Sequence, residues 1–314
     1  MRTGAALFLA LAAAAAVLGG PALLEAWLPA FLFCTGLSAG ALGALAIGHL
    51  LREDWLQPVR APLEAAARTM PLLAIMALPV LLGLDALYPW AAPDAPAPPG
   101  PRVAWLSPWP FRLRAVLFLA LWAGLASLLA RPGRPDKRLS ALVLALLLPS
   151  VTIAAQDWSL SRDTAWLGSL QGFIVWVEGM AAALAAAALA ALLRRDLSLA
   201  LPGAKEALER ALLALALSVL WLWFTQFIVV WMADLPMEAG WYLRRMEEGW
   251  AVVKLGIAVP ALLLAIALAA PPRHRSWRIG AVCALILASH LANLWWVVRP
   301  GARPAPPLWL DAAA

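Results

Sequence analysis

The sequence predicts an all-α fold: a polytopic transmembrane bundle of about nine helices, forming a single integral membrane domain over residues 1–314. Three observations carry that reading. The chain is 64% hydrophobic and only 13% charged, with a mean hydropathy of +0.81, far more apolar surface than one soluble core can bury. The apolar residues gather into nine runs separated by short polar loops, each run close to the length that crosses a hydrocarbon core of roughly 30 Å. The basic residues are shared unequally between alternate loops, as the orientation of a membrane protein requires.

Residues 4–20 form an alanine-rich run behind Arg2. It reads either as a retained helix, the preferred reading, or as a cleaved signal peptide, which would leave eight spans. The second span, 27–51, carries Gly36, Ser38, Gly40, Gly43 and Gly48, small residues that let helices approach closely. After a mixed-charge loop, a helix starts near Pro62. The third span, 70–90, contains Pro71 and Pro79, either of which can kink it. Asp94 to Pro110, rich in Pro and Ala with Trp105 and Trp109, reads as a non-helical loop on the membrane surface. The remaining spans are 111–130, 139–155, 166–193, 211–233, 249–270 and 277–298, and no loop is long enough for a soluble domain.

With the N-terminus cytoplasmic, Arg2 and the loops after the second, fourth, sixth and eighth spans hold 15 Lys and Arg, against 8 on the other side, with Lys254 left inside a span. That asymmetry predicts a multi-pass protein of a bacterial inner membrane, N-terminus in the cytoplasm and C-terminus in the periplasm. The same distribution accounts for the net charge of +6. Nucleic-acid binding would need a continuous basic surface instead, so no nucleic-acid partner is expected; membrane lipids are.

Cys34 and Cys283 both lie in apolar runs, without CxxC, CxxCH or a Cys/His cluster. Disulfide frameworks, zinc, c-type haem and iron–sulfur clusters therefore lack ligands, and no metal site is expected. A bis-histidine haem would need two histidines at matching depth, but His49 is at the inner end of its span, His290 in an outer half and His274 in a loop. GxxxxGKS and HExxH motifs are absent, so no catalytic residue is assigned.

Polar side chains within spans are costly, and each needs a reason. Glu178 lies near the middle of the sixth span; a carboxylate there must take up a proton, pair with a cation or face water. Gln171 lies seven residues before it, on the same helical face, and His290 and Asn293 share a face in the ninth span. Glu178, His290, Gln171, Asp157 and Lys254 are the candidates for a proton path. Lys254 reads equally as a snorkelling side chain, and Asp157 and Asp85, at span ends, as caps. Gln226 and Asn293 read as amides that pack helices together by hydrogen bonding.

Several stretches in order resemble one family. They are F-L-F-C-T-G-L-S-A-G-A-L-G, then R-A-P-L-E-A-A-A-R-T-M-P-L-L-A and D-A-L-Y-P-W; T-I-A-A-Q-D-W-S-L-S at Thr152 to Ser161; F-T-Q-F-I-V-V-W through W-Y-L-R-R to E-G-W at Trp250; and H-L-A-N-L-W-W-V-V near the end. Together they are similar to the second polysulfide-reductase-like (NrfD-like) membrane subunit of bacterial alternative complex III, the ActF family, over about Trp27 to Trp309. The family usually continues into a further helix where this chain stops at W-L-D-A-A-A, and Glu178 matches no family motif.

The resemblance implies a non-catalytic subunit of a respiratory quinol:electron-acceptor oxidoreductase. It would support electron transport by contributing a helical bundle and proton transfer or energy coupling. It implies no redox cofactor on this chain, with haem and iron–sulfur clusters in partner subunits, a sister NrfD-like subunit as quinol binder, and quinol or quinone at a subunit interface. The competing class is a small transporter or a plain membrane anchor. A transporter predicts internal repeats and broken helices around a midplane site, and no convincing repeat is present.

Overall fold

The computed structural model describes residues 2–51, 53–95, 102–130, 137–164, 166, 168–194, 202–234, 236–247, 249–271 and 275–301. Arg52, Arg131, Arg134, Arg195, Glu248, Arg273, His274, Arg303 and Trp309, used above for orientation, haem or the family resemblance, lie outside them, as do residues 96–101 of the expected surface loop.

Eleven helices make up the body: α1 (Arg2–Leu18), α2 (Pro21–Leu51), α3 (Leu56–Ala67), α4 (Met70–Leu82), α5 (Pro108–Leu129), α6 (Lys137–Trp158), α7 (Gln171–Leu193), α8 (Pro202–Ala233), α9 (Pro236–Arg244), α10 (Val252–Ala269) and α11 (Ser276–Val298). Among the described residues there is no strand. Seven of the helices are long and apolar enough to cross a membrane, and α3 with α4, bent by 43° at their junction, makes an eighth candidate. The chain is a multi-pass, all-helical membrane protein, since apolar solvent leaves a spanning backbone only internal partners for its N–H and C=O groups.

Several boundaries differ from the sequence reading. The helix expected over 70–90 stops at Leu82, where Gly83 leaves the helical conformation. α7 begins at Gln171 rather than 166, after a turn in which Gly168 takes φ 43°. Glu178 therefore sits about 10 Å along the axis from the first residue of α7, still closer to its middle than to its start. α8 runs back to Pro202, nine residues before the expected start. The expected surface loop contains a helical turn, Arg102–Trp105, and joins α5 at Pro108.

α7 is the axis of the bundle, packing against α2, α3, α6, α8 and α11. Its run A-A-A-L-A-A-A-A-L-A-A gives it the small side chains that such a position needs. The closest approach is to α2, at Gly36 and Gly40. A Cβ on Gly40 would stand 2.0 Å from Gly179 O, and one on Gly179 would stand 2.7 Å from Gly36 O, so at this crossing backbone meets backbone. α8 and α10 lie at the periphery and turn Trp221, Phe224, Leu255 and Ile257 outward.

One end of the bundle is rich in tryptophan and arginine. Arg162 donates to both carboxylate oxygens of Glu25, at 3.1 and 2.9 Å, and to Leu87 O at 2.7 Å, with both side chains buried. Burying this pair is tolerable because each charge meets the other, Arg162 Nη2 reaching both carboxylate oxygens while Nη1 is taken by the Leu87 carbonyl. Nearby, Trp166 stacks on Trp241 with ring centroids 3.5 Å apart. Arg245 lies over the Trp241 ring and donates to Val297 O at 2.7 Å, clamping the end of α11.

Candidate functional site

Four helices deliver polar groups to one buried point. α7 carries Glu178; α11 carries His290 and Asn293, three residues apart and so on one face; α8 carries Trp223; α10 carries Lys254. The first turns of α10, Val252–Ala258, are π-helical, and the Val259 N–H donates to Lys254 O, five residues back. Pro260 follows immediately and has no N–H to continue the α-helical ladder. Such wide turns recur where a helix must place a side chain out of register.

Glu178 Oε1 accepts from Asn293 Nδ2 at 2.8 Å and from Trp223 Nε1. Its Oε2 lies 3.2 Å from His290 Nδ1. Lys254 Nζ donates to Asn293 Oδ1 and stands 3.1 Å from the centroid of the Trp223 ring, within reach of a cation–π contact. The amide orientation is self-consistent: only with Nδ2 toward Glu178 and Oδ1 toward Lys254 does Asn293 face an acceptor with its donor and a donor with its acceptor. The carboxyl group thus has three N–H groups around it and an ammonium one hydrogen bond away.

His290 continues the site on its far side. Among the described residues its Nε2 is buried without a hydrogen-bond partner, as is Thr35 Oγ1 on α2, and both residues line a cavity of about 50 Å³ with Ser159, Gln171 and Trp176. That space holds roughly three waters. Phe33 stacks on the imidazole, ring centroids 5.5 Å apart, and fixes its plane. The pair can therefore move a proton between the cavity and Glu178: Nε2 takes one up, and the imidazolium hands the Nδ1 proton to Oε2.

No family model matches the chain, and no curated protein is similar to it.

Of the residues singled out in the sequence, Glu178, His290 and Lys254 come together. Asn293, read as a packing amide, bridges Glu178 and Lys254. Gln171 is buried in the first turn of α7 and borders the same cavity. Gln226 Oε1 accepts from Leu170 N at 3.0 Å, linking α8 to the residue that opens α7. Asp157 stands apart, held by Arg114 at 2.7 and 3.0 Å and by Trp105 Nε1 at 3.0 Å. Asp85 is exposed. His49 is buried at the other end of α2, with neither ring nitrogen hydrogen-bonded among the described residues. Among the described residues, no group of three or more His, Cys, Asp or Glu is placed to hold a metal ion.

Sequence reasoning missed Trp223 and Thr35. Trp223 lies in an apolar run, none of whose features distinguishes it from Trp221, which faces outward. The Glu25–Arg162 pair was missed as well, because both residues fall in presumed loops.

Proposed function

We propose that this chain is an integral membrane subunit of a quinol:acceptor oxidoreductase of the alternative complex III type, and that its part is proton transfer through Glu178 and His290. Partner subunits carry the electrons on haem and iron–sulfur centres, and the complex sits in a bacterial inner membrane with the N-terminus of this chain in the cytoplasm. The family resemblance of the sequence supports the assignment to such a complex. The observation that supports the proton role is the 3.2 Å contact between Glu178 Oε2 and His290 Nδ1 inside the helical bundle, with the second imidazole nitrogen buried and unpartnered among the described residues and His290 lining a cavity beside Thr35, Ser159 and Gln171.

The chemistry suits that task. Quinol oxidation releases protons as well as electrons, and a carboxylate accepts one without becoming an isolated buried ion in either state. Deprotonated, Glu178 is compensated by Lys254 through Asn293; protonated, it remains a hydrogen-bonding group. Imidazole has two distinct nitrogens, so it can take a proton on one side and deliver one on the other. After delivery His290 carries its proton on Nε2; when Glu178 returns a proton to Nδ1 and Nε2 releases one to the cavity, both groups are back in their starting states and the pair has shuttled a proton each way.

Purification tests the reading. The tagged chain, extracted from its native membrane in mild detergent, is expected to bring haem and iron–sulfur proteins with it. A stable lone monomer with no redox partner would overturn the assignment in favour of a transporter or a simple anchor.

A further inference from the structure

A second, larger cavity lies beside the Glu178 cluster, bounded by α8, α9, α10 and α11, with a volume of about 400 Å³. That is the size class of sites for small organic ligands. Its walls are aromatic: Trp223, Trp241, Trp296, Tyr242 and Phe227 line it. Trp241 and Trp296 meet at 88°, and Phe227 and Tyr242 at 82°, so the lining presents both ring faces and ring edges. α8 packs along Val259–Ala269 of α10, and its Trp223 meets Lys254 of the π-helical turns. Phe224 of α8 and Leu255 of α10 line the cavity and are also 54% and 57% exposed on the surface expected to meet lipid.

We propose that this cavity binds the flat, oxygen-bearing ring of a lipid-soluble molecule of the quinone type, which enters sideways from the bilayer between α8 and α10. The chemical class of the ring rests on the function proposed above. The polar groups select among the bilayer's candidates. Lys254 lines the cavity, and of its three N–H groups one is taken by Asn293 and one by the Trp223 ring, which leaves one for a ligand oxygen. Trp166 lines it too, and its buried indole N–H has no acceptor among the described residues. An acyl chain would leave both donors unsatisfied. A phosphate headgroup calls for several charged donors, but among the described residues Lys254 is the only cation lining the cavity, and the Arg245 guanidinium is turned onto Trp241 and the Val297 carbonyl. A ring with carbonyl or hydroxyl oxygens uses the aromatic walls and both donors, while its tail remains in lipid.

Photolabelling in lipid nanodiscs tests the site on the full chain. With an azido-substituted benzoquinone carrying a short apolar tail, we expect covalent label within residues 220–231, 241–247 and 252–259, removed by excess decyl-benzoquinone. Lys254→Met, which keeps the length and apolar stem of the side chain, should weaken protection by about tenfold. Leu255→Trp, which closes the mouth without touching the Glu178 cluster, should do the same. Label spread over the outer surface, insensitive to excess quinone or equal in both variants, would overturn the site. Because the lone chain suffices, this failure is distinct from failure to co-purify with redox partners, which would instead overturn the assignment to the complex.

Discussion

Glu178 Oε2 and His290 Nδ1 lie 3.2 Å apart although the residues are 112 positions apart in the chain. Packing of α11 against α7 brings them together. Glu178→Gln keeps the shape of the side chain and most of its hydrogen bonds but cannot take up a proton. The complex should assemble normally, and its proton-coupled quinol oxidation should fall by about 100-fold, the lower range for loss of a general acid–base group. Full coupled activity in a normally assembled variant would leave Glu178 as a buried hydrogen bonder and this chain as scaffold.

Gln226→Leu should act differently. It removes the acceptor of the Leu170 N–H, a helix-opening donor with few alternatives in an apolar surround. The expected loss is about 1 kcal/mol of stability, seen as a lower melting temperature and weaker assembly, with turnover per assembled complex unchanged.

At the crossing of α2 and α7, Gly40→Ala would place a methyl carbon 2.0 Å from Gly179 O. The helices must separate, at a cost of about 1–3 kcal/mol. Gly124→Ala is the control, because nothing lies within 4 Å of its added carbon. The first variant should melt well below the second in the same detergent.

The pair formed by Glu25 and Arg162 is buried on both sides, so Arg162→Met alone would strand a carboxylate. The expected cost is about 3–5 kcal/mol. Adding Glu25→Leu should recover at least half of it, since two apolar groups then replace two charges. A double variant no more stable than Arg162→Met would show that the ion pair is not the source of the loss.

Reporter fusions after Arg138 and after Gly301 test the orientation. The 15 to 8 division of basic residues predicts a cytoplasmic signal from the first and a periplasmic signal from the second. Two reports from one side would refute the topology.

The helices themselves were legible in the sequence, because a long apolar run placed in lipid has no partner for its backbone except itself. Their ends were less so. Pro202 to Arg210 is too polar to count as span, yet it continues α8 as an ordinary helix, and Gly83 ended a helix that the apolar pattern would have carried further. The oddity of Glu178 was equally plain, as one carboxylate in an uncharged run. Its partners were not. Trp223 was one more aromatic ring in an apolar run, Asn293 read as a packing amide and Lys254 as a snorkelling cation, and all three belong to the cluster around the same carboxyl group. In water, an apolar stripe tells which face of a helix is buried. In a bilayer the lipid is as apolar as the neighbouring helix, so these spans carry no such stripe, and only the close packing of α7 against α2, α8 and α11 decides which side chains meet.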